Sequence, residues 1–134
     1  MSELYVADTH ALLWYMLEPH KLGLSAQRAL QQVERGEVTL HIPVIVIAEA
    51  EMVIEKGRIR ATRSQFETLL QKMIGSRNFR VARLELETAL KATRFVQLKD
   101  IFDRLIVAEA SSLNVPLITR DEEITASALV PIIW

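Results

Sequence analysis

The feature that most constrains the fold of this 134-residue chain is the alternation of short apolar runs with longer amphipathic stretches. The short runs are rich in Val, Ile and Leu, which is typical of buried β-strands. The longer stretches place apolar residues at the three- and four-residue spacing of a helix. Strands that alternate with helices form a parallel sheet covered on both faces, so the predicted fold class is α/β, an α/β/α sandwich around a central parallel β-sheet.

The positions of the individual elements follow from this pattern and from the residues that interrupt it. We predict strands over residues 4–7, 38–42, 79–84, 116–119 and 130–134. We predict helices over residues 11–17, 25–35, 43–56, 62–73, 85–93, 100–113 and 124–128. Ser25 and Asp100 are predicted helix N-caps, and Gly36 and Gly57 are predicted to end helices. The apolar run 44–47 is also compatible with a strand.

Length and composition exclude several classes of protein. The length predicts one domain over residues 1–134. The absence of cysteine excludes disulfides, zinc–thiolate sites, iron–sulfur clusters and a cysteine nucleophile. No basic region precedes an apolar stretch at the N-terminus, and no uncharged apolar stretch approaches the roughly 20 residues of a membrane span. We therefore expect a soluble cytoplasmic protein without membrane contact.

Four acidic residues lie far apart in the sequence, each beside an apolar run: Asp8, Glu49, Asp103 and Asp121. A carboxylate next to a buried run is unfavourable unless something compensates its charge. Asp8 and Asp121 follow predicted strands, whereas Glu49 and Asp103 lie near the starts of predicted helices. In parallel sheets ligands collect beyond the carboxyl ends of the strands, so we expect all four carboxylates at one edge of the sheet, around one cation.

A cation bound only by carboxylates is typically hard and divalent, which predicts Mg²⁺ with Mn²⁺ as a substitute. Such an ion supports phosphodiester hydrolysis by water without a nucleophilic side chain. Among candidate ligands, Glu49 is favoured over Glu51 because apolar helix neighbours enclose it. Thr119, two residues before Asp121, is a candidate to hydrogen-bond a site carboxylate. Asp100 is predicted mainly to cap a helix, with contact to the site as the alternative.

Each acid also has a purely structural interpretation. Asp8 can be only a helix N-cap, and Asp121 only a turn residue. Asp103 can form an ion pair with Arg104 or a nearby Lys, and Glu49 can be a carboxylate at the margin of the core. The sequence pattern alone leaves these alternatives open.

The net charge of −1 is distributed unevenly. Residues 56–104, here called the basic segment, contain 12 of the 16 Lys and Arg but 5 of the 17 Asp and Glu, a local balance of +7. A segment of this kind can follow a phosphate backbone. A solvated helical surface is the alternative.

Taken together, these residues resemble the PIN domain, and more closely the toxin-type PIN proteins of bacterial VapBC systems. The resemblance covers nearly the whole chain and is carried by residues 8–14 (Asp-Thr-His-Ala-Leu-Leu-Trp), 47–59, 102–108 (Phe-Asp-Arg-Leu-Ile-Val-Ala), 116–121 (Pro-Leu-Ile-Thr-Arg-Asp) and 130–134 (Val-Pro-Ile-Ile-Trp). It implies an α/β/α fold, a Mg²⁺- or Mn²⁺-dependent ribonuclease, a small antitoxin as partner and often a homodimer.

The resemblance extends to single residues. The acids of the family match Asp8, Glu49, Asp103 and Asp121, and the Thr of its Thr-x-Asp motif matches Thr119. Relatives of this branch usually carry His two residues before the equivalent of Asp100 and Pro directly after it; this chain has Leu98 and Ile101 there. The departure leaves the four acids unchanged and affects the expected substrate contacts and cleavage rate.

The main functional hypothesis is therefore a metal-dependent endoribonuclease, the toxin of a type II toxin–antitoxin pair. The first alternative is a non-catalytic PIN scaffold that binds nucleic acid or a protein. A DNA flap nuclease would use the same carboxylates, but the chain is short for the helical arch that flap substrates need.

Overall fold

The computed structural model describes residues 3–134, and all statements on structure concern that range. Its strands are β1 (Glu3–Ala7), β2 (Val38–Pro43), β3 (Phe79–Ala82), β4 (Leu117–Ile118) and β5 (Ile132–Ile133). Its helices are α1 (Thr9–Leu17), α2 (Leu24–Glu34), α3 (Val44–Glu55), α4 (Arg63–Ile74), α5 (Leu86–Ala92), α6 (Ile101–Leu113) and α7 (Glu122–Ser127). A short 3₁₀ turn, Pro19–Lys21, joins α1 to α2.

The strands form one parallel sheet in the order β3-β2-β1-β4-β5. From β1 the chain first extends the sheet through β2 to β3. It then returns through α5 and α6 to the other side of β1 and adds β4 and β5. The direction of winding thus reverses between β1 and β4, and ligands of open parallel sheets bind at such a reversal.

Helices cover both faces of the sheet, which confirms the predicted α/β/α sandwich. Successive residues of a strand point to opposite faces. Tyr5, which is in register with Leu40, donates a hydrogen bond of 2.8 Å to Gln32 of α2. His41, the next residue of β2, lies 3.6 Å from Glu109 of α6. The helices α2 and α6 therefore pack on opposite faces, and the residues of β2 are buried on both sides.

A smaller apolar cluster lies beside the main core, between α1, α3 and α4. Its buried members are Leu13, Ala50, Val53, Ile54, Ile59, Phe66 and Leu70. Thr62 and Gln65 form a capping box that starts α4, and Gly57 ends α3 with a positive φ of 73°, a conformation that glycine adopts without strain. This cluster attaches α3 to α1 and so holds the helix that carries Glu49 against the helix that follows Asp8.

The predicted strands and helices are confirmed, with differences at their ends. The run 44–47 is helical, because α3 continues the apolar face that packs against α1 and α6. The prediction that Ser25 is an N-cap is wrong: α2 begins at Leu24, after Gly23. A Cβ at Gly23 would lie 2.4 Å from the carbonyl oxygen of Trp134, and the same oxygen accepts a hydrogen bond of 3.1 Å from the N–H of Ala26. The main-chain carbonyl of Trp134, just after β5, thus replaces a serine cap.

Helical spacing predicts an apolar face of α6 made of Ile101, Leu105, Ala108 and Leu113, and this prediction is partly wrong. Ile106, Val107, Ala108 and Ala110 are buried, whereas Ile101 is 54% exposed at the first turn. The buried residues of α6 lie in its middle, whereas its first turn is exposed or only partly buried. No helix within residues 3–134 combines the length and the apolarity needed to cross a bilayer.

Candidate active site

An open cavity of about 480 Å³ lies at the carboxyl ends of β1 and β4, where the winding of the sheet reverses. Its lining brings together all four predicted acids and six further polar or aromatic side chains. The lining residues are Asp8, Thr9, His10, Trp14, Glu49, Asp100, Asp103, Ile106, Arg120, Asp121 and Glu122. The acids come from four separate segments, so the cavity is a product of sheet topology.

Asp8 lies at the centre of the hydrogen-bond network and is 8% exposed. Its Oδ1 accepts a hydrogen bond of 2.9 Å from the N–H of Ala11 and caps α1. Its Oδ2 accepts a hydrogen bond from the hydroxyl of Thr119. The capping interpretation of Asp8 is therefore correct, and it coexists with a place in the cavity wall.

Thr119 connects two of the acids. It is fully buried, and its Oγ1 also accepts a hydrogen bond of 3.0 Å from the N–H of Asp121. Asp121 in turn caps α7, because its Oδ1 accepts a hydrogen bond of 2.8 Å from the N–H of Ile124. The structure thus confirms that Thr119 hydrogen-bonds a carboxylate of the cavity, and that Asp121 is a capping residue as well as a lining residue.

Glu49 is held from the opposite wall. The hydroxyl of Thr9, at the first turn of α1, donates a hydrogen bond to its Oε1. Glu51, two residues further along α3, points away toward α4, where contact with Glu67 raises the pKa of its carboxyl. Of the two glutamates, Glu49 lines the cavity and Glu51 does not.

Asp103 differs from the other acids because its carboxylate makes no hydrogen bond and no ion pair within residues 3–134. The alternative that it pairs with Arg104 is wrong: Arg104 donates through Nε to the carbonyl of Leu98 at 2.6 Å. Asp100 accepts a hydrogen bond of 3.1 Å from the N–H of Asp103 and caps α6. Asp100 also lines the cavity, so both of its predicted roles are compatible with its position.

Two acids of the cavity, Asp8 and Asp103, have raised pKa values. Burial is the main cause for Asp8 and raises its pKa to about 6, against the lowering effect of hydrogen bonds from Thr119 and Ala11. Burial is also the main cause for Asp103 and raises its pKa to about 7. The effect is increased by the charges of Asp121, Asp100, Glu49 and Asp8. A raised pKa means that the ionised form of the carboxyl group is destabilised. A cation among these carboxylates would relieve their mutual repulsion.

The residues present fit a hard divalent ion that keeps part of its water shell. No three His, Asp or Glu side chains within residues 3–134 are arranged closely enough to act together as direct ligands. Mg²⁺ commonly takes only one or two carboxylates directly and contacts others through water. Apart from the imidazole of His10, the candidate ligand atoms of the cavity are oxygens, most of them on acids, which is the chemistry that Mg²⁺ and Mn²⁺ prefer.

The mouth of the cavity carries residues that sequence reasoning did not select. The ring of Trp14 lies 5.5 Å from that of His10 and 5.7 Å from that of Trp134. The guanidinium of Arg120 lies 5.8 Å from the centre of the Trp14 ring. Thr9 was likewise missed as a partner of Glu49. The signal for Arg120 is its place between Thr119 and Asp121, because a residue so placed cannot lie far from the site.

Comparison with known proteins agrees with this architecture. The sequence profile of the PIN domain matches residues 5–128. A search by sequence among curated proteins gave no match. The fold is similar to that of VapBC2 from Rickettsia felis, crystallised with a DNA fragment from its promoter, with 16% identity, a TM-score of 0.72 and 96% of each chain covered.

Two further solved structures show the same fold. One is FitAcB from Neisseria gonorrhoeae, with 14% identity, a TM-score of 0.65, and 96% of this chain and 95% of that chain covered. The other is a toxin–antitoxin complex from Klebsiella pneumoniae, with 19% identity, a TM-score of 0.61, and the same coverage of 96% and 95%. At such identities the likeness establishes the fold, and the activity has to be argued from the cavity.

Proposed function

The chain belongs to the PIN domain family, and we propose on that premise that it is a Mg²⁺- or Mn²⁺-dependent endoribonuclease. The observation that carries the proposal is the meeting of four acids from separate segments in one cavity, two of them with raised pKa values. The ionised carboxylates of such a site repel one another, and a bound hard cation would relieve that repulsion.

Asp8, Glu49, Asp103 and Asp121 would hold the ion directly or through water. A divalent ion bound there would supply Lewis acidity toward a phosphoryl oxygen and would lower the pKa of a water molecule. The hydroxyls of Thr119 and Thr9 fix the orientation of two carboxylates by hydrogen bonds. Asp103, which accepts no hydrogen bond from residues 3–134, can adjust to what binds.

The lining residues suggest hydrolysis by water. No Ser, Cys, Lys or Tyr lines the cavity in the described part of the chain. Attack by water forms a new P–O bond, breaks the bond from phosphorus to the 3′ oxygen and leaves a proton on that oxygen. The expected products carry a 5′-phosphate and a 3′-hydroxyl, and a 2′,3′-cyclic phosphate among the products would exclude this route.

The direct test compares two glutamates of the same helix. We expect Glu49→Gln to reduce RNA cleavage at least about a hundredfold, because it removes a charge from the cavity. Glu51→Gln, the matched control on the α4 side of α3, should keep activity near that of the unchanged protein. Both proteins are assayed on structured and unstructured RNAs with Mg²⁺, with Mn²⁺ and with chelator. Equal activity of the two variants, or cleavage in chelator, would contradict the proposal.

A non-catalytic PIN scaffold is the second candidate, favoured by the absence of three ready-placed ligands within residues 3–134. It predicts RNA or protein binding without cleavage under any metal condition. Calorimetry with Mn²⁺ distinguishes the two, because a scaffold with a weak site would give no heat of binding that depends on Glu49.

We further propose that the chain is the toxin of a type II toxin–antitoxin pair and acts in the cytoplasm. The support is the similarity of its fold to VapBC2, to FitAcB and to a toxin–antitoxin complex. Leu86, Leu90, Val96 and Ile101 are exposed apolar side chains that a small antitoxin or a second copy of the chain could cover. Growth arrest on expression, relieved by the product of a short reading frame directly upstream, is the expected result; harmless expression would count against a toxin.

A further inference from the structure

One cation lies in the wall of a cavity otherwise lined mostly by acids. Arg120 is the only Lys or Arg among the lining residues of the described chain. It is also the only basic residue after Arg104, and Asp121, Glu122 and Glu123 follow it directly. A single positive charge in such surroundings is expected to form an ion pair unless something else holds it.

Within residues 3–134 Arg120 forms no ion pair, although acids surround it. Its side chain is exposed, and its guanidinium lies over the ring of Trp14 at 5.8 Å from the ring centre. A guanidinium stacked on an aromatic ring uses its flat face for that contact and keeps its in-plane N–H groups available as donors. Because the Arg120 side chain makes no ion pair and no hydrogen bond within residues 3–134, its N–H groups remain available as donors at the cavity.

The ring beneath Arg120 is itself held in place. Trp14 is half-buried between Trp134 at 5.7 Å and His10 at 5.5 Å, measured between ring centres. Its position on α1 is fixed by the same helix start that Asp8 caps. The guanidinium thus lies on a rigid support, which reduces the side-chain entropy that a flexible arginine loses on binding.

We propose that Arg120 binds a backbone phosphate of the RNA strand next to the phosphate that is cleaved, and that Trp14 is a positioning residue that acts through Arg120. The planar, forked donors of arginine match two oxygens of a phosphate. Binding of a polyanion in an acidic cavity is also favoured by a positive charge in its wall. Arg120 carries the single Lys or Arg charge among the described lining residues. The inference rests on the proposed ribonuclease function.

The first test measures binding apart from cleavage. In an Asp8→Asn background the RNA stays intact, and its affinity is measured by fluorescence anisotropy of a labelled single-stranded RNA at several salt concentrations. We expect Arg120→Gln to weaken binding about tenfold or more and to reduce the salt slope by about 0.7. Arg28→Gln removes one exposed charge on α2, away from the cavity, and is the matched control; equal losses in both variants would overturn the proposal.

The second test separates phosphate binding from an effect on the metal. With Asp8 restored, Arg120→Gln should raise KM for RNA about tenfold and change kcat far less, while the Mn²⁺ concentration for half-maximal activity stays constant. Arg120→Lys keeps the charge and should restore part of the affinity. A shifted Mn²⁺ midpoint with unchanged KM would overturn the proposal and assign Arg120 to the metal site.

The role of Trp14 is tested by coupling. Trp14→Phe keeps an aromatic face and should stay within about threefold of the unchanged KM, whereas Trp14→Leu should approach the KM of Arg120→Gln. In the Arg120→Gln background Trp14→Leu should add little further loss. Thermal unfolding verifies that each variant is folded. Additive losses would show that Trp14 acts by packing alone and would contradict the positioning role.

Failure of this inference and failure of the ribonuclease proposal are distinguishable. If the unchanged protein cleaves no RNA with any metal, the ribonuclease proposal fails, and the anisotropy data still decide whether Arg120 binds RNA. If the unchanged protein cleaves RNA and Arg120→Gln alters neither affinity nor KM, the inference fails alone.

Discussion

The acidic cavity and the basic segment show two different ways in which charge is arranged in this chain. The acids are far apart in sequence, and the fold brings them together; Thr119 and Asp8, which are hydrogen-bonded, are 111 residues apart. The twelve basic residues at 56–104 are close in sequence, and the fold distributes them from the end of α3 to the first turn of α6, over α4, β3, α5 and the loops between these elements. None of the twelve lines the cavity.

The difference teaches that position relative to the sheet edge matters more than proximity in sequence. A residue after a parallel strand at the winding reversal has a defined neighbourhood, because the strand is hydrogen-bonded on both sides. The position of a residue in a surface helix or loop depends mainly on its own segment of the chain. We therefore expect single changes in the cavity to have large effects and single changes in the basic segment to have small ones.

The largest expected effect is that of Asp8→Asn, which should reduce RNA cleavage at least about a hundredfold. Asparagine is also a good N-cap, so α1 should remain intact, which circular dichroism verifies. Arg77→Gln, an exposed change within the basic segment, should stay within about threefold of normal activity. If the two variants lose similar activity, the contrast between the regions does not hold.

Thr119→Val should have the next largest effect. It removes the hydroxyl that orients Asp8 and accepts from Asp121, and we expect a loss of activity of about 10- to 100-fold and of about 1–3 kcal/mol in the free energy of unfolding. Thr119→Ser keeps the hydroxyl and is the control. Activity assays with urea denaturation measure both quantities; normal activity of the valine variant would mean that the orientation of Asp8 does not matter.

The pH dependence of stability distinguishes the cavity from the surface. Because the pKa of Asp103 is raised to about 7 from an ordinary 3.8, the folded state holds a proton that the unfolded state loses. This contribution to the free energy of unfolding is fully present below about pH 4 and is lost as pH rises to about 7. Asp103→Asn should remove this pH-dependent loss of stability, which amounts to about 1–2 kcal/mol in the free energy of unfolding after allowance for solvent screening.

Thermal unfolding without metal at pH 5 and pH 8 measures the effect. The midpoint difference between Asp103→Asn and the unchanged protein should be larger at pH 8 than at pH 5, by about 3–8 °C. Added Mg²⁺ should raise the midpoint of the unchanged protein at pH 8 more than that of the variant. Parallel pH curves for both proteins would exclude the repulsion among the cavity acids as a factor in stability.

The smallest effect is expected in the basic segment. Arg80 lies on the edge strand β3 and Arg83 just beyond its carboxyl end, and both are exposed. If they contact RNA phosphates, the double variant Arg80→Gln/Arg83→Gln should reduce the salt slope of RNA binding by up to about 1.4, with little change in kcat. A slope equal to that of Arg28→Gln would identify the segment as a solvated surface.

Much of the fold could be predicted from sequence because each element carries its own local signal. Alternating runs, the capping box at Thr62 and the glycine at 57 determine where elements start and end. The cap of α2 could not be predicted in this way, because the carbonyl that replaces a serine cap belongs to Trp134, more than a hundred residues away. The exposed position of Ile101 could not be predicted either, because it depends on which part of α6 the rest of the fold covers.

For the candidate site, the sequence determined which acids were available, because a carboxylate beside an apolar run is unfavourable without compensation and so is conspicuous wherever it occurs. Only the tertiary structure decided that Asp8, Glu49, Asp103 and Asp121 line one cavity, and that Thr9 and Thr119 hold two of them. The position of the Arg120 guanidinium over the ring of Trp14 was also decided by the tertiary structure. The physical reason is that hydrogen bonds and stacking contacts between distant segments depend on strand order, and strand order is set by the packing of the whole sheet.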